Sequence, residues 1–337
     1  MPPMNRRDIL LCAALAVLLA ALALVSLVTG QAGLTPAAAL SALFDGQGPA
    51  GIIVREIRLP RTVLAIGIGA TLGLSGAALQ GLLRNPLAEP ALFGAPQAAA
   101  AATSLVIAFG LAPVTSFIAP LAGIAGALLS VGGLILIAGR RASLTITLLA
   151  GLALASFAGA MTALILNLAP NPFIALEVAF WLLGSLEDRS TDHLIIALPF
   201  FLVSWLMLML GAKAYRALSL GEEAAISLGV NIPLTRLLVV AGVAIGVGAA
   251  VAVSGAIGFV GLVAPHLVRR AVGSDPARVL LPAALTGAVL LIAADIAVRL
   301  VPAAIELKIG VVTALIGVPF FLRMIFSERR ILEGSAR

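Results

Sequence analysis

Long apolar segments separated by short polar segments run through the whole chain. They fall at roughly 9–29, 62–83, 91–110, 113–138, 144–169, 194–212, 236–253, 257–268, 279–298 and 309–326. A helix of ~20 apolar residues is long enough to cross the hydrocarbon core of a bilayer. The pattern therefore predicts an all-α polytopic membrane protein with about ten transmembrane helices, several of them short.

The composition agrees with a membrane protein. Hydrophobic residues make up 61% of the chain and charged residues 11%, whereas about a quarter of the residues of a soluble domain are charged. The single cysteine, Cys12, lies in the first apolar segment, so no intrachain disulfide can form. The net charge of +6 does not indicate a nucleic-acid partner, because no basic cluster lies beside aromatic residues.

The first 30 residues have two interpretations. Arg6 and Arg7 followed by an apolar segment are typical of a cleaved signal peptide, but the segment is longer than a signal h-region and favours a first transmembrane helix. Ten crossings that start inside place fifteen of the 21 lysines and arginines on the cytoplasmic side. This bias follows the positive-inside rule and predicts that both termini are cytoplasmic.

Small residues recur in two patterns. Gly69–Gly73 and Gly242–Gly246 have GxxxG spacing, which lets helices approach closely in lipid. The stretches Gly69–Ala77 and Gly248–Ala256 share the pattern G-A-x4-S-G-A, and in each a proline follows the serine by eleven residues. With opposite predicted directions across the membrane, the two copies indicate an inverted repeat of the kind found in transporters. A chance match in an alanine-rich chain is the alternative.

The chain lacks the motifs of an enzyme. No G-x-x-x-x-G-K-[ST] phosphate loop is present, and the only lysines are Lys213 and Lys308. The two histidines, His193 and His266, have no partner at metal-ligand spacing. Asp295 and Arg299 are spaced as a local helical pair near the outer end of a span. Since no acidic residue is placed for ion coupling at mid-span, we expect the energy source to be another subunit.

The segment SLGEEAAISLGV, residues 219–230, predicts a short capped helix on the cytoplasmic face. Ser219 and Glu222 have the spacing of a capping box, Glu223 also suits a helix N-terminus, and Gly229 suits a C-terminal stop. The segment is either an ordinary connector or a docking helix for a cytoplasmic motor.

Four stretches together resemble the iron-siderophore and cobalamin permease family, the transmembrane subunits of type II ABC importers. They are RLPRTVLAIGIGATLGLSGAALQGLLRNPLAEPALFG, LGEEAAISLGV, residues 254–299 and ELKIGVVTALIGVPFFL. The resemblance covers about residues 55–326. It implies a single permease domain over 1–337 in a bacterial cytoplasmic membrane, paired with a second permease subunit, two ABC ATPase subunits and a periplasmic substrate-binding protein.

The resemblance also implies roles for particular residues. The coupling helix to the ATPase would include Leu220, Gly221, Glu222, Glu223 and Gly229. The binding protein would dock at Arg58, Arg61 and Arg299, and an inner gate would include Asn85, Pro86, Leu87, Ser143 and Thr145. No cofactor or metal site is implied in this chain, and ATP would be bound by the partner subunits.

Two places depart from the family pattern. Phe93–Ala102 replaces an LG, a serine and a glycine-rich start of the third helix, and Lys308 stands where proline is usual. The first departure touches the expected pathway wall and bears on the substrate. His266 follows Gly255, Gly258, Gly261 and Pro265, a stretch that need not be regular helix. We interpret it as a packing residue in a short helix.

These observations predict the permease subunit of an ABC importer for a metal chelate, with a ferric siderophore as the cargo. Cobalamin or haem is the alternative cargo within the same family. An ion-coupled secondary transporter and a membrane-embedded enzyme are the alternatives of other classes.

Overall fold

The computed structural model describes residues 5–335 except 31–32, 46–47, 112–116, 140–143 and 302–306. The described residues form α-helices joined by short connections. The helices are α1 Arg6–Val28, α2 Pro36–Asp45, α3 Gly48–Ile52, α4 Leu59–Leu83, α5 Ala95–Ala108, α6 Ile118–Ala138, α7 Leu144–Asn167, α8 Pro172–Leu182, α9 Thr191–Leu210, α10 Ala212–Leu218, α11 Glu222–Ser227, α12 Ile232–Ser254, α13 Val260–Arg269, α14 Pro276–Leu300 and α15 Ile309–Ser335. A π-helical turn, Ile53–Arg58, joins α3 to α4, and a 3-10 turn, Pro90–Phe93, precedes α5.

Each of the ten apolar segments coincides with a helix over most of its described residues, which confirms the all-α prediction. Eight helices within the described residues are long and apolar enough to span a membrane. The predicted crossings at 91–110 and 257–268 are the short helices α5, of 14 residues, and α13, of 10 residues. The apolar helix α8 was not predicted as a separate element. Its N-cap Asn171 accepts a hydrogen bond from the Ile174 amide at 3.0 Å, and Pro172 follows, so a helix starts there.

The central contact of the bundle is between α4 and α14, and glycine makes it possible. A Cβ added to Gly69 would lie 2.4 Å from the Gly287 carbonyl oxygen, and one added to Gly73 would lie 2.2 Å from the Ala283 oxygen. Backbones this close leave no room for a side chain, which confirms the packing predicted for Gly69–Gly73. The Gly242–Gly246 pair packs differently, against the side chains of Leu208 and Ser204 on α9.

The two copies of the repeated pattern differ in conformation. The first copy is continuous helix inside α4, whereas the second ends α12 at Ser254 because Gly255 has φ +71°. The irregular backbone then continues to Phe259, which has φ +65°, before α13 begins. This stretch confirms the predicted irregular backbone at Gly255 and Gly258, whereas Gly261 and Pro265 lie in the regular helix α13. A Cβ at Gly255 would lie 2.1 Å from the Trp181 carbonyl oxygen, so neighbouring backbone shelters the break.

Candidate functional site

The segment predicted as a coupling helix is α11, and its ends differ from the prediction. The Ser219 hydroxyl donates to the Arg216 carbonyl at 2.6 Å, and Gly221 is the N-cap with φ +108° and no side-chain cap hydrogen bond. The predicted capping box of Ser219 and Glu222 is therefore wrong, because an adjacent carbonyl satisfies the hydroxyl first. Instead, the Arg236 guanidinium on α12 donates to Glu222 Oε1 at 2.7 Å.

The C-terminal stop of α11 is as predicted. Gly229 has φ +83°, its amide donates to the Ile226 carbonyl at 2.8 Å, and the Val230 amide donates to the Ala225 carbonyl at 3.0 Å. These two bonds form a Schellman motif, which requires a left-handed residue at the glycine position. The helix is short, as predicted, with six residues, Glu222–Ser227.

Residues 219–230, which we name the coupling segment, present an exposed apolar surface on one side and are anchored to the bundle on the other. Leu220, Ile226 and Leu228 are 69%, 61% and 65% exposed, although sequence reasoning had identified only the first of them. On the inward side, the fully buried Tyr215 of α10 donates its hydroxyl to the Leu208 carbonyl at 2.9 Å. Burial raises the pKa of Tyr215 above its ordinary value, so the phenol stays a neutral donor. An anchored segment with exposed leucines has the properties of a docking surface.

The predicted inner gate lies at the same end of the bundle as α11. Asn85 Oδ1 accepts a hydrogen bond from the Leu87 amide at 2.9 Å, and Pro86 lies between them in the turn. Leu87 packs against a cluster that includes Leu262 of α13 and Met324 of α15. On the other side of the predicted gate, Thr145 is exposed at the start of α7, and Ser143 lies outside the described residues.

The three predicted docking arginines lie at the opposite end of the bundle, where they bond to other residues of this chain. Arg61 Nε donates to Asp295 Oδ1 at 2.8 Å, and an Arg299 terminal nitrogen lies 2.8 Å from Asp295 Oδ2. Arg299 also donates to the Ser26 carbonyl at 2.9 Å, and Arg58 donates to the Leu27 carbonyl at 2.9 Å. The predicted local pair of Asp295 and Arg299 is confirmed. The contact between Arg61 and Asp295 joins residues 234 positions apart, and the sequence pattern does not indicate it.

The fully buried Asp295 carboxylate joins α4 to α14, and hydrogen bonds from Arg299 and Arg58 to backbone carbonyls join α1 to them. Arg58 and Arg61 are 4% and 8% exposed. The second terminal nitrogen of Arg58 has no hydrogen-bond partner among the described residues. In the structure the three arginines join helices. Docking of a partner at them stays a prediction.

Lys308, one of the two departures from the family pattern, pairs with an acidic residue of the α8–α9 connection. Its Nζ donates to Glu187 Oε2 at 2.7 Å. The Gly310 amide, at the start of α15, donates to the Gly184 carbonyl at 3.3 Å. The start of α15 is therefore tied to residues 184–187 by one ion pair and one backbone hydrogen bond.

The other departure from the family pattern, Phe93–Ala102, contributes residues to the lining of a cavity. The cavity, of about 210 Å³, lies between the 3-10 turn, the start of α5, α12, the irregular residues 256–259 and Gly261 of α13, and we name it the Glu89 cavity. Its lining contains two polar side chains, Glu89 and Gln97. Burial raises the pKa of the Glu89 carboxyl above its ordinary value. Sequence reasoning missed Glu89, although a glutamate directly before Pro90 in an otherwise apolar loop was a visible signal.

His266 packs in the short helix α13. Its ring lies edge-on to Phe320 of α15, with the ring centroids 5.4 Å apart. No group of three His, Cys, Asp or Glu side chains is placed to hold a metal ion in the part of the chain that the structure describes.

Comparison with known proteins decides the family. The sequence profile of the FecCD transport family matches residues 18–327. The chain belongs to the FecCD transport family. It is a multi-pass membrane protein and a permease subunit of an ABC importer, so it is a transport protein rather than an enzyme, and the ATPase is a separate subunit.

The relatives of this FecCD chain are named for different cargoes. The hemin transport permease of Yersinia pestis is 37% identical over 83% of this chain and 84% of the relative. The vitamin B12 import permease of Salmonella typhi is 36% identical over 97% of this chain and 98% of the relative. The Fe(3+)-citrate import permease of Bacillus subtilis is 34% identical over 97% of each chain.

The fold of this FecCD chain matches a solved structure described as an inward-facing conformation of a metal-chelate type ABC transporter. The TM-score is 0.82 at 29% identity, over 95% of this chain and 99% of the other. The likeness therefore extends over nearly the whole of both chains.

Proposed function

We propose that the chain is a single-domain permease that moves a metal chelate, most specifically a ferric siderophore, across the bacterial cytoplasmic membrane. Three relatives are named for hemin, vitamin B12 and Fe(3+)-citrate, and the matched structure is described as of metal-chelate type. Cobalamin and haem are the alternative cargoes. Both termini and α11 would then face the cytoplasm.

The observation that carries the proposal is the coupling segment. The segment lies between two membrane spans, and its short helix is anchored to the bundle and has an exposed apolar surface. Such a helix is suited to bind a separate ATPase subunit and to transmit its movement to the spans. Leu220, Ile226 and Leu228 supply the apolar contacts, and Gly221 and Gly229 set the two turns. The complete importer would contain a second permease subunit, two ATPase subunits, a substrate-binding protein at the Arg58 end, and surrounding lipid.

The remaining site residues have roles in this scheme. Asn85, Pro86, Leu87 and Thr145, with Ser143, would close the pathway on the cytoplasmic side, since Leu87 already packs between α13 and α15. The Arg58, Arg61 and Arg299 cluster would present the outer end of α4 and α14 to the binding protein.

The test is reconstitution. The purified chain alone should hydrolyse no ATP, because it contains no phosphate loop. Adding the ATPase partner should restore hydrolysis, and adding the binding protein should drive uptake of a labelled ferric siderophore into liposomes. ATP hydrolysis by the chain alone, or ion-gradient uptake without the ATPase, would overturn the assignment.

A further inference from the structure

The Glu89 cavity contains two polar side chains that the protein itself does not satisfy. Gln97 Oε1 is buried and has no hydrogen-bond partner among the described residues. The Glu89 side chain makes no cap hydrogen bond, and no described residue forms an ion pair with it. Buried polar groups in native proteins are nearly always paired, with protein, water or ligand. The buried Gln97 oxygen therefore points to something that enters the cavity, and the half-buried Glu89 carboxylate lines the same cavity.

The cavity lies deep in the bundle. Leu72 of α4 lines it, and this residue is about 16 Å from the end of α4 at the helical rise of 1.5 Å per residue. The hydrocarbon core of a bilayer is ~30 Å thick. Gly261 fixes the depth, because a Cβ there would lie 2.9 Å from the Leu72 carbonyl oxygen and 3.1 Å from Pro90. The loop that carries Glu89 thus returns into the bundle, and an ionisable group at that depth is a functional candidate.

The cavity adjoins a larger apolar cavity at Ala256. Ala256, which is exposed, also lines a second cavity of about 550 Å³ formed with α15, and every side chain lining that second cavity is apolar. Glu89 and Gln97 are therefore the two polar side chains of the combined concave surface. Ligand sites have this composition, an apolar lining with a few polar groups that fix orientation.

The two groups together offer more hydrogen-bond acceptors than donors. The open Gln97 oxygen accepts, the Gln97 amide nitrogen can donate, and the Glu89 carboxylate accepts with negative charge. The N-terminus of α5 also borders the cavity, and its partial positive charge only partly offsets the negative charge of an ionised Glu89. Pro90 and Pro96 in the lining further remove two backbone donors. A ligand that presents N–H or O–H donors suits this site, and a ligand with free carboxylates is repelled.

We propose that Glu89 and Gln97 form a cargo-binding station that accepts chelates bearing hydrogen-bond donors and no net negative charge. This rests on the proposed function and narrows it to a cargo such as a ferric trihydroxamate or cobalamin, against ferric citrate or haem with their free carboxylates. Gln97 lies in the stretch Phe93–Ala102 that departs from the family pattern, whereas Glu89 lies in a stretch that resembles it, so the Gln97 contact would be the part specific to this chain.

The experiment is uptake by the complete importer with four labelled chelates: a ferric trihydroxamate, cobalamin, haem and ferric citrate. The native complex should import one of the first two. Glu89→Leu and Gln97→Leu should each lower that uptake by about tenfold, while Glu89→Asp, which keeps the charged acceptor, should stay within about threefold of native. Glu177→Gln, at an exposed glutamate of α8 outside the cavity lining, is the matched control and should be neutral.

The outcomes are separable. If the native complex imports none of the four chelates, the proposed function fails. If it imports ferric citrate or haem at least as fast as the other two, the proposed function stands and the cargo-binding station is overturned. The station is also overturned if both leucine variants, at native membrane levels and with native binding-protein-stimulated ATPase activity, import as fast as Glu177→Gln. A leucine variant that fails to reach the membrane is replaced by Glu89→Gln, for which a severalfold loss is expected.

Discussion

Single residues set the two turns of the coupling segment. Gly221 and Gly229 have φ +108° and +83°, values that a residue with a Cβ rarely adopts. A Cβ added at either position would meet no atom within 4 Å, so a substitution there has space and is opposed by backbone conformation alone. The exposed surface of Leu220, Ile226 and Leu228 is therefore held in place by the backbone of two glycines.

The variant Gly229→Val should disrupt coupling without disrupting insertion. A valine in the left-handed region costs about 1–3 kcal/mol of local order, enough to loosen the end of α11. Uptake and co-purification of the ATPase should both fall, while the membrane level stays native. Gly132→Val is the control, because Gly132 has open space and an ordinary φ. Native uptake and native co-purification by Gly229→Val would show that this segment does not couple.

At the scale of elements, glycine decides how closely α4 meets its neighbours. A Cβ at Gly76 would lie 1.7 Å from the carbonyl oxygen of Gly261, at the point where α13 crosses α4. The same crossing fixes the depth of the Glu89 cavity, because Gly261 also contacts Pro90. Helix contact and cavity shape therefore depend on the same pair of glycines.

The variant Gly76→Ala should destabilise the bundle by about 3 kcal/mol or more, since the clash is with backbone and α13 must move as a unit. Thermal unfolding of the detergent-purified protein measures the change, and a lower unfolding temperature is expected. Gly159→Ala, at a helical glycine of α7 with no neighbour within 4 Å, should be neutral or slightly stabilising. Equal unfolding temperatures for the two variants would contradict the close crossing.

At the scale of the whole molecule, buried ion pairs join helices that are far apart in sequence. At one end Arg61 and Arg299 hold Asp295, and at the other Arg278 donates two hydrogen bonds of 2.6 Å to the fully buried Asp8 of α1. The first helix is mostly exposed to the surroundings of the bundle. The Asp8 pair at its start, and hydrogen bonds to the Ser26 and Leu27 carbonyls at its end, therefore fix its position.

The variant Arg61→Gln should cost about 3 kcal/mol, because it leaves the buried Asp295 with one cation instead of two. The exposed pair of Arg216 and Asp275 supplies the control, and Arg216→Gln should cost less than about 1 kcal/mol. Unfolding temperatures of both variants in detergent measure the difference. If Arg61→Gln is no less stable than Arg216→Gln, Asp295 is not held as the structure shows.

The same variant also tests docking. A direct charge contact with the binding protein gives a slower association at low salt that recovers toward native at high salt. A purely structural role gives an equal change at both salt concentrations, and that result would remove Arg61 from the docking surface.

The sequence by itself determined the membrane class, the positions of the helices and the glycine stop at Gly229, because apolar length and backbone preference are local properties. It also carried the family, through motifs spread over most of the chain. Only the tertiary structure decided what the charges do. Arg61 meets Asp295 across 234 residues, and Glu89 returns from a loop into the bundle. Such partners are set by how helices pack, and packing depends on distances in space that no local pattern encodes.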